Sequence, residues 1–145
     1  MVGLVLVAHS RTLVEGLHLM LAQAAPSVPV ALAGGTARGA LGTSAPLVET
    51  AIREALGSAG DGVVVFIDLG SAALAVEIAL ESLPGAERAR VRTSGGPIVE
   101  GAVLAAVEAS SGASLEQVLA VADGAGRVPK LLEPPADLGS AGSVA

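Results

Sequence analysis

His9 and Asp68 each follow directly on a short uncharged run, and each stands just before the start of a helical pattern. They are the two side chains in this sequence whose types and placement suit chemistry together. The run before His9 is Gly3-Leu4-Val5-Leu6-Val7-Ala8, and the run before Asp68 is Gly62-Val63-Val64-Val65-Phe66-Ile67. An apolar stretch of that length reads as a strand buried on both faces, as in the middle of a parallel sheet. In open α/β sheets the ligand site lies beyond the carboxyl ends of the strands, near a switch point in their order. If the two strands are neighbours, an Asp68 carboxylate accepting from Nδ1–H of His9 fixes the tautomer and leaves the Nε2 lone pair free. A neutral, oriented imidazole nitrogen is what attacks an electrophile. Helices opening after Ser10 and after Gly70 would add backbone N–H groups that bind anions without Lys or Arg. His9 and Asp68 are therefore the candidate catalytic residues, with Ser10, Gly70 and Ser71 as candidate phosphoryl-binding residues. At this level a His that only caps a strand end, or an Asp68 that only caps its helix, stays open.

Other constellations are missing. The Gly34–Gly42 stretch lacks the Lys and hydroxyl of a P-loop, no G-x-G-x-x-G follows the first strand, and no G-x-S-x-G elbow exists. Nucleotide cradles and a hydrolase triad are accordingly not expected. His18 falls off the apolar stripe of its helix and reads as a flank or subunit-contact residue. The sequence has no Cys, which removes disulfides, thiolate nucleophiles and zinc knuckles. No metal site and no cofactor are expected. The 145 residues are 52% hydrophobic, yet include one Phe and no Trp or Tyr, so the apolar mass is Ala, Val and Leu. With net charge −6 and its basic residues scattered, the chain offers nothing for nucleic acid to stack on or pair with. Its N-terminus lacks a basic leader, and no run approaches the roughly 18 apolar residues of a membrane span. A soluble, cytoplasmic protein without a membrane partner is expected.

The elements that position the pair alternate. Strands are expected at Val2–Ala8, Val28–Ala33, Val63–Ile67 and, short, polar and at an edge, Arg90–Arg92. The helix Thr12–Ala25 carries Leu13, Val14, Leu17, Leu21 and Ala24 on one face, with Thr12 and Glu15 as a capping box and Pro26 as its stop. Ser44 as N-cap and Pro46 in the first turn open a helix that the Gly57–Gly62 cluster ends. A third helix runs from Gly70-Ser71 to about Leu83. A fourth, Ile98–Ala109, has Pro97 at its first position, and Ser114 with Gln117 caps a last one from Leu115 to about Asp123. The pattern implies a single-domain α/β fold, an open, mostly parallel four-stranded sheet with helices on both faces and right-handed crossovers. Residues 1–123 form this domain. Gly124–Ala145, rich in Gly, Pro, Ala and Ser, reads as a mobile tail.

The run Leu-Val-Leu-Val-Ala-His9-Ser10, with Leu13, Val14 and Gly16 after it, resembles the opening of the phosphoryl-carrier subunits of phosphotransferase-dependent dihydroxyacetone kinases, which belong with the mannose-type IIA domains. The resemblance continues through Gly34-Gly35-Thr36, Leu41-Gly42-Thr43-Ser44, Asp68-Leu69-Gly70-Ser71-Ala72 and Gly96-Pro97-Ile98-Val99-Glu100-Gly101, and fades after about Asp123. The last two motifs favour the dihydroxyacetone branch over sugar-transporting mannose-type IIA domains. It implies that His9 is phosphorylated by the general histidine-containing phosphocarrier protein and that Asp68 is its acidic partner. The phosphoryl group would pass to ADP on the kinase subunit, from a homodimeric, stand-alone carrier. Competing classes are a tetrapyrrole metal chelatase, which wants a second His on a later strand end, and a regulatory module whose His9 is read rather than used.

Overall fold

The computed structural model describes residues 1–132. Four strands, β1 (Gly3–Ala8), β2 (Val30–Gly34), β3 (Val63–Ile67) and β4 (Val91–Ser94), form one sheet in the order β2-β1-β3-β4, and every pairing is parallel. The helices are α1 (Arg11–Ala24), α2 (Ala45–Ser58), α3 (Ala73–Glu81), α4 (Gly85–Arg88), α5 (Ile98–Ser110) and α6 (Leu115–Gly124). The single-domain α/β sheet expected from the sequence is the one observed. From β1 the chain steps one way to β2, then crosses back to β3 and on to β4. The switch in direction therefore falls between β1 and β3, the strands that end in His9 and Asp68.

Side chains alternate across the sheet with period two. Val5, Val7, Val63 and Val65 face α2 and α3, meeting Val48, Ile52, Ala55, Val76 and Ala79. Leu4, Leu6, Val64 and Phe66 face α1, α5 and α6, meeting Val14, Leu17, Leu21, Ala102, Ala105 and Val118. This second layer uses small residues for a reason. A Cβ on Gly101 of α5 would stand 3.2 Å from Phe66 Cε1, so the helix lies close over the one phenylalanine in the chain. At the far edge Ser94, fully buried, donates to Asp123 Oδ1 at 2.6 Å and accepts from Gly96 N–H at 3.1 Å, tying the end of β4 to α6 and to the turn into α5.

Several local readings need correction. Ser10, not Thr12, caps α1: its backbone is still extended and its hydroxyl accepts from Leu13 N–H at 3.3 Å. The strand-to-helix turn is that tight, so the helix is already under way at Thr12. Pro97 is the extended N-cap of α5 rather than its first helical residue. The third helix is split into a 3₁₀ turn, Gly70–Ala72, followed by α3, and the short α4 was not foreseen. The second and fourth strands sit later than expected, at Val30–Gly34 and Val91–Ser94. Ser44 and the Ser114–Gln117 capping box are as expected. Helix α6 runs to Gly124 and a 3₁₀ turn follows at Ala125–Arg127, with Ala125 buried, so structure continues past Asp123. The expected mobile tail lies, from residue 133 on, outside the described residues. Among the described residues no helix is long and apolar enough to cross a membrane.

Gly34 shows how tightly α1 crosses the end of β2. A Cβ there would stand 2.5 Å from Val14 Cγ2 and 2.7 Å from both Arg11 Cα and Ser10 O, backbone included. Gly34→Ala should therefore cost about 1–3 kcal/mol, the range for overpacking a core. Gly57→Ala in α2, where a Cβ meets nothing within 4 Å, should gain about 0.5–1 kcal/mol through reduced unfolded-state freedom. Urea denaturation of the two variants checks both signs; equal stabilities would contradict the packing described.

Candidate active site

β1 and β3 pair in register from Gly3–Val63 to Val7–Ile67, and Asp68 N–H extends the ladder by donating to Val7 O at 3.1 Å. This fixes the carboxylate at the end of the neighbouring strand, facing His9. Asp68 Oδ2 accepts from His9 backbone N–H at 2.9 Å, and Oδ1 accepts from Leu69 N–H at 2.8 Å. The ring nitrogen Nδ1 of His9 lies 3.0 Å from Oδ1 and 3.1 Å from Oδ2. The other side of His9 is held as well, because His9 O accepts from Gly42 N–H at 2.9 Å. Gly42 closes a loop that starts at Gly35, whose N–H donates to Ala8 O at 3.0 Å and whose φ is +74°. A side chain at Gly35 would be strained by that conformation and would run into Ala40 O at 2.8 Å.

Burial of the Asp68 side chain, 10% exposed, acts to raise its pKa. The hydrogen bonds from His9 N–H, the His9 ring and Leu69 N–H outweigh that and hold the carboxyl below the usual carboxylate range. An ionised carboxylate only accepts, which assigns the facing proton to Nδ1 of His9. In the neutral imidazole Nε2 then carries the lone pair. Ser71 Oγ lies 3.0 Å from it, so in this tautomer the hydroxyl donates to Nε2. The His9 side chain is 29% exposed, and Ser71 is exposed beside it. The arrangement is a nucleophilic nitrogen at an open rim, oriented from behind by a buried anion.

The structure thus brings together His9, Asp68 and Ser71. Ser10 adjoins them, with its oxygen engaged as the α1 cap. Gly70 opens the 3₁₀ turn that carries Ser71. His18 lies half-buried two turns into α1, away from this group. Sequence reasoning did not foresee the direct contact of Ser71 with Nε2. Its only signal is the i, i+3 spacing of Asp68 and Ser71, since a tight turn folds the fourth residue back over the first. The Gly42 contact to His9 O was also unforeseen. Two clefts lie elsewhere, one of about 260 Å³ lined by Val99, Val103, Leu104, Val128 and Pro129, the other of about 170 Å³ between Arg11, Glu15, Leu32 and Leu47. His9 lines neither. Among the described residues no group of three His, Cys, Asp or Glu is placed to share a metal ion.

The family model of the PTS system fructose IIA component matches residues 3–119. A PEP-dependent dihydroxyacetone kinase phosphoryl donor subunit, DhaM, of Escherichia coli is 41% identical over 123 residues, taking in 82% of this chain and 26% of the relative, so the chain spans about a quarter of that protein. The corresponding subunit of the second such kinase of Listeria innocua is 36% identical over 120 residues, covering 82% of this chain and 94% of the relative. The crystal structure of the unknown-function protein EF1359 superposes with a TM-score of 0.78 at 30% identity, covering 92% of this chain and 98% of that one. With the match extending across the sheet, both strand ends and the helices that cover them, the chain belongs to the DhaM family of phosphoryl donor subunits, within the IIA-component fold.

Proposed function

We propose that this chain is the phosphoryl donor subunit of a phosphoenolpyruvate-dependent dihydroxyacetone kinase, and that the group it carries sits on Nε2 of His9. The single observation that carries this reading is the opposed environment of the two ring nitrogens. Nδ1 is bound to both oxygens of Asp68, while Nε2 faces outward. The donor is the general histidine-containing phosphocarrier protein. Its phosphorylated imidazole approaches the rim, Nε2 of His9 attacks phosphorus in line, and the P–N bond of the donor breaks. Asp68, already ionised, stabilises the positive charge that develops on the His9 ring and receives no proton. In the second transfer a terminal phosphate oxygen of ADP, held on the kinase subunit, attacks phosphorus. The P–Nε2 bond breaks and ATP forms there.

Ser71 has to release Nε2 before the phosphoryl group arrives. Rotation about one side-chain bond lets its hydroxyl donate to a phosphoryl oxygen instead. Gly70 and Ser10 flank the same space with backbone N–H groups at the starts of the 3₁₀ turn and of α1. An open rim suits a phosphoryl group delivered and collected by other proteins, since small substrates are usually enclosed. We further propose a cytoplasmic homodimer. Leu19 and Met20 on α1 are 72% and 50% exposed, and Val99 and Val107 on the neighbouring α5 are 42% and 49% exposed. Together they form apolar surface on one side of the sheet.

Incubation with phosphoenolpyruvate and the two general phosphotransferase proteins should raise the intact mass by one phosphoryl group, with the ³¹P resonance that of an Nε2 phosphohistidine. His9→Ala should fold and take up none. Asp68→Ala should take up the group about 10- to 10⁴-fold more slowly, the range for losing an orienting carboxylate, and His18→Ala should match the parent. Labelling lost in His18→Ala but kept in His9→Ala would overturn the assignment.

The pH dependence of stability follows from Asp68. Its pKa is lower in the folded chain than the roughly 3.9 of an unfolded Asp. Its contribution is therefore complete above that value and is lost as pH falls through the folded pKa. Denaturation of Asp68→Asn between about pH 5 and pH 2 should show a shallower acid limb than the parent. Sedimentation at micromolar concentration should give a species of twice the 14.0 kDa chain mass; only the single-chain species would contradict the dimer.

A further inference from the structure

Ser71 Oγ, His9 and Asp68 form one continuous line: Oγ to Nε2 at 3.0 Å, then Nδ1 to the two carboxylate oxygens at 3.0 and 3.1 Å. Serine, imidazole and buried carboxylate in this order are how serine acyl-transfer enzymes activate a hydroxyl, and the constellation is identified by geometry rather than by sequence position. We propose that the chain, while His9 is unphosphorylated, has a second chemical capacity in which Ser71 Oγ attacks activated organophosphorus or ester electrophiles with His9 as general base. This shares the site with the carrier reading but does not rest on it.

Each part the reaction needs is in place. The hydroxyl already donates to the nitrogen that must take its proton. Asp68 holds the ring so that the imidazolium formed is paired at once. Ser71 is exposed, so an electrophile reaches it without rearrangement of the fold. The backbone N–H groups of Gly70 and Ser71 open the 3₁₀ turn and donate to no other described residue, and a nucleophile's own N–H is a usual donor to the developing oxyanion. The same geometry argues against Ser71 as an acceptor from phosphorylated His9. In-line attack requires the entering oxygen opposite the leaving nitrogen, and Oγ lies beside Nε2. The two chemistries are also mutually exclusive, because Nε2 bearing a phosphoryl group has no lone pair for the Ser71 proton.

With diisopropyl fluorophosphate the Oγ–P bond forms, the P–F bond breaks, fluoride leaves, and the Oγ proton moves to Nε2 and then to solvent. With an activated ester the Oγ–C bond forms, the alkoxide or phenolate leaves with that proton, and water later releases the acid.

The test is incubation of the full, unphosphorylated chain with diisopropyl fluorophosphate, followed by peptide mapping by mass spectrometry. One adduct on Ser71 is expected. Ser71→Ala should carry none, and His9→Gln should label about 100-fold more slowly, the low end for a general base. Circular dichroism confirms that each variant is folded. An unlabelled parent chain, an adduct elsewhere, or a His9→Gln rate within about threefold of the parent would overturn the inference. A chain that accepts the phosphoryl group yet resists the probe overturns this inference alone. Labelling of Ser71 in a chain that cannot be phosphorylated overturns the carrier reading alone.

Discussion

The site depends on one carboxylate bridging two parallel strands. Asp68 accepts from the backbone and the ring of His9 and from Leu69 N–H, so its oxygens have no freedom to turn away. That geometry exists only because β1 and β3 are adjacent and in register, so that their last residues end at the same height. Adjacency in turn requires that the chain leave β1 in one direction and return on its other side, which crossover helices on both faces make possible. Remove the bridge and His9 is a strand-end histidine with no carboxylate to fix which ring nitrogen carries the proton. The bridge makes one nitrogen a donor and leaves the lone pair on the other.

Small residues make the close approach possible. Gly34 lets the start of α1 cross the end of β2 almost in backbone contact, and this fixes where Ser10 and hence His9 emerge. On the same face α5 presents Ala102, Ala105, Ala106 and Ala109 to the sheet, with Gly101 over Phe66. A composition with one Phe and no Trp or Tyr is thus the consequence of thin helix–sheet layers. Larger residues would lift the helices and with them the helix starts that border His9.

Much of this was legible in the sequence because the decisive signals are local and strong. Two uncharged runs, each followed by a polar residue and a helix start, are enough to place His9 and Asp68 at strand ends and to expect them side by side. What failed were features set by tertiary geometry. The T-x-x-E spacing at Thr12 is a valid capping signal, but the turn after β1 is so short that Ser10 meets the helix first. Pro97 fits a first helical position by type, yet its backbone is extended because the turn from β4 is held by Ser94. Ser71 was expected near a phosphoryl group, but its hydrogen bond to Nε2 needs the 3₁₀ turn, which no residue pattern distinguishes from the start of an α-helix. The role of Gly42 depends on where a loop folds back, and neither composition nor periodicity encodes that. Ala125 is buried although the composition changes near it, because a single small residue suffices to dock a turn.

His9 is held on both flanks of its backbone, by Asp68 at N–H and by Gly42 at C=O. The residue therefore has no soft coordinate of its own. In the proposed carrier only the Ser71 hydroxyl would have to move between the unphosphorylated and the phosphorylated state, and an exposed side chain changes rotamer in picoseconds to nanoseconds. Protein partners meet on timescales many orders of magnitude slower. In the proposed carrier, turnover would accordingly be governed by how often its partners collide in the right orientation, and throughput would rise with their concentration until residence on the rim became the slow event. The rigidity of one strand end would make the proposed carrier a relay paced by diffusion, with no conformational clock inside it.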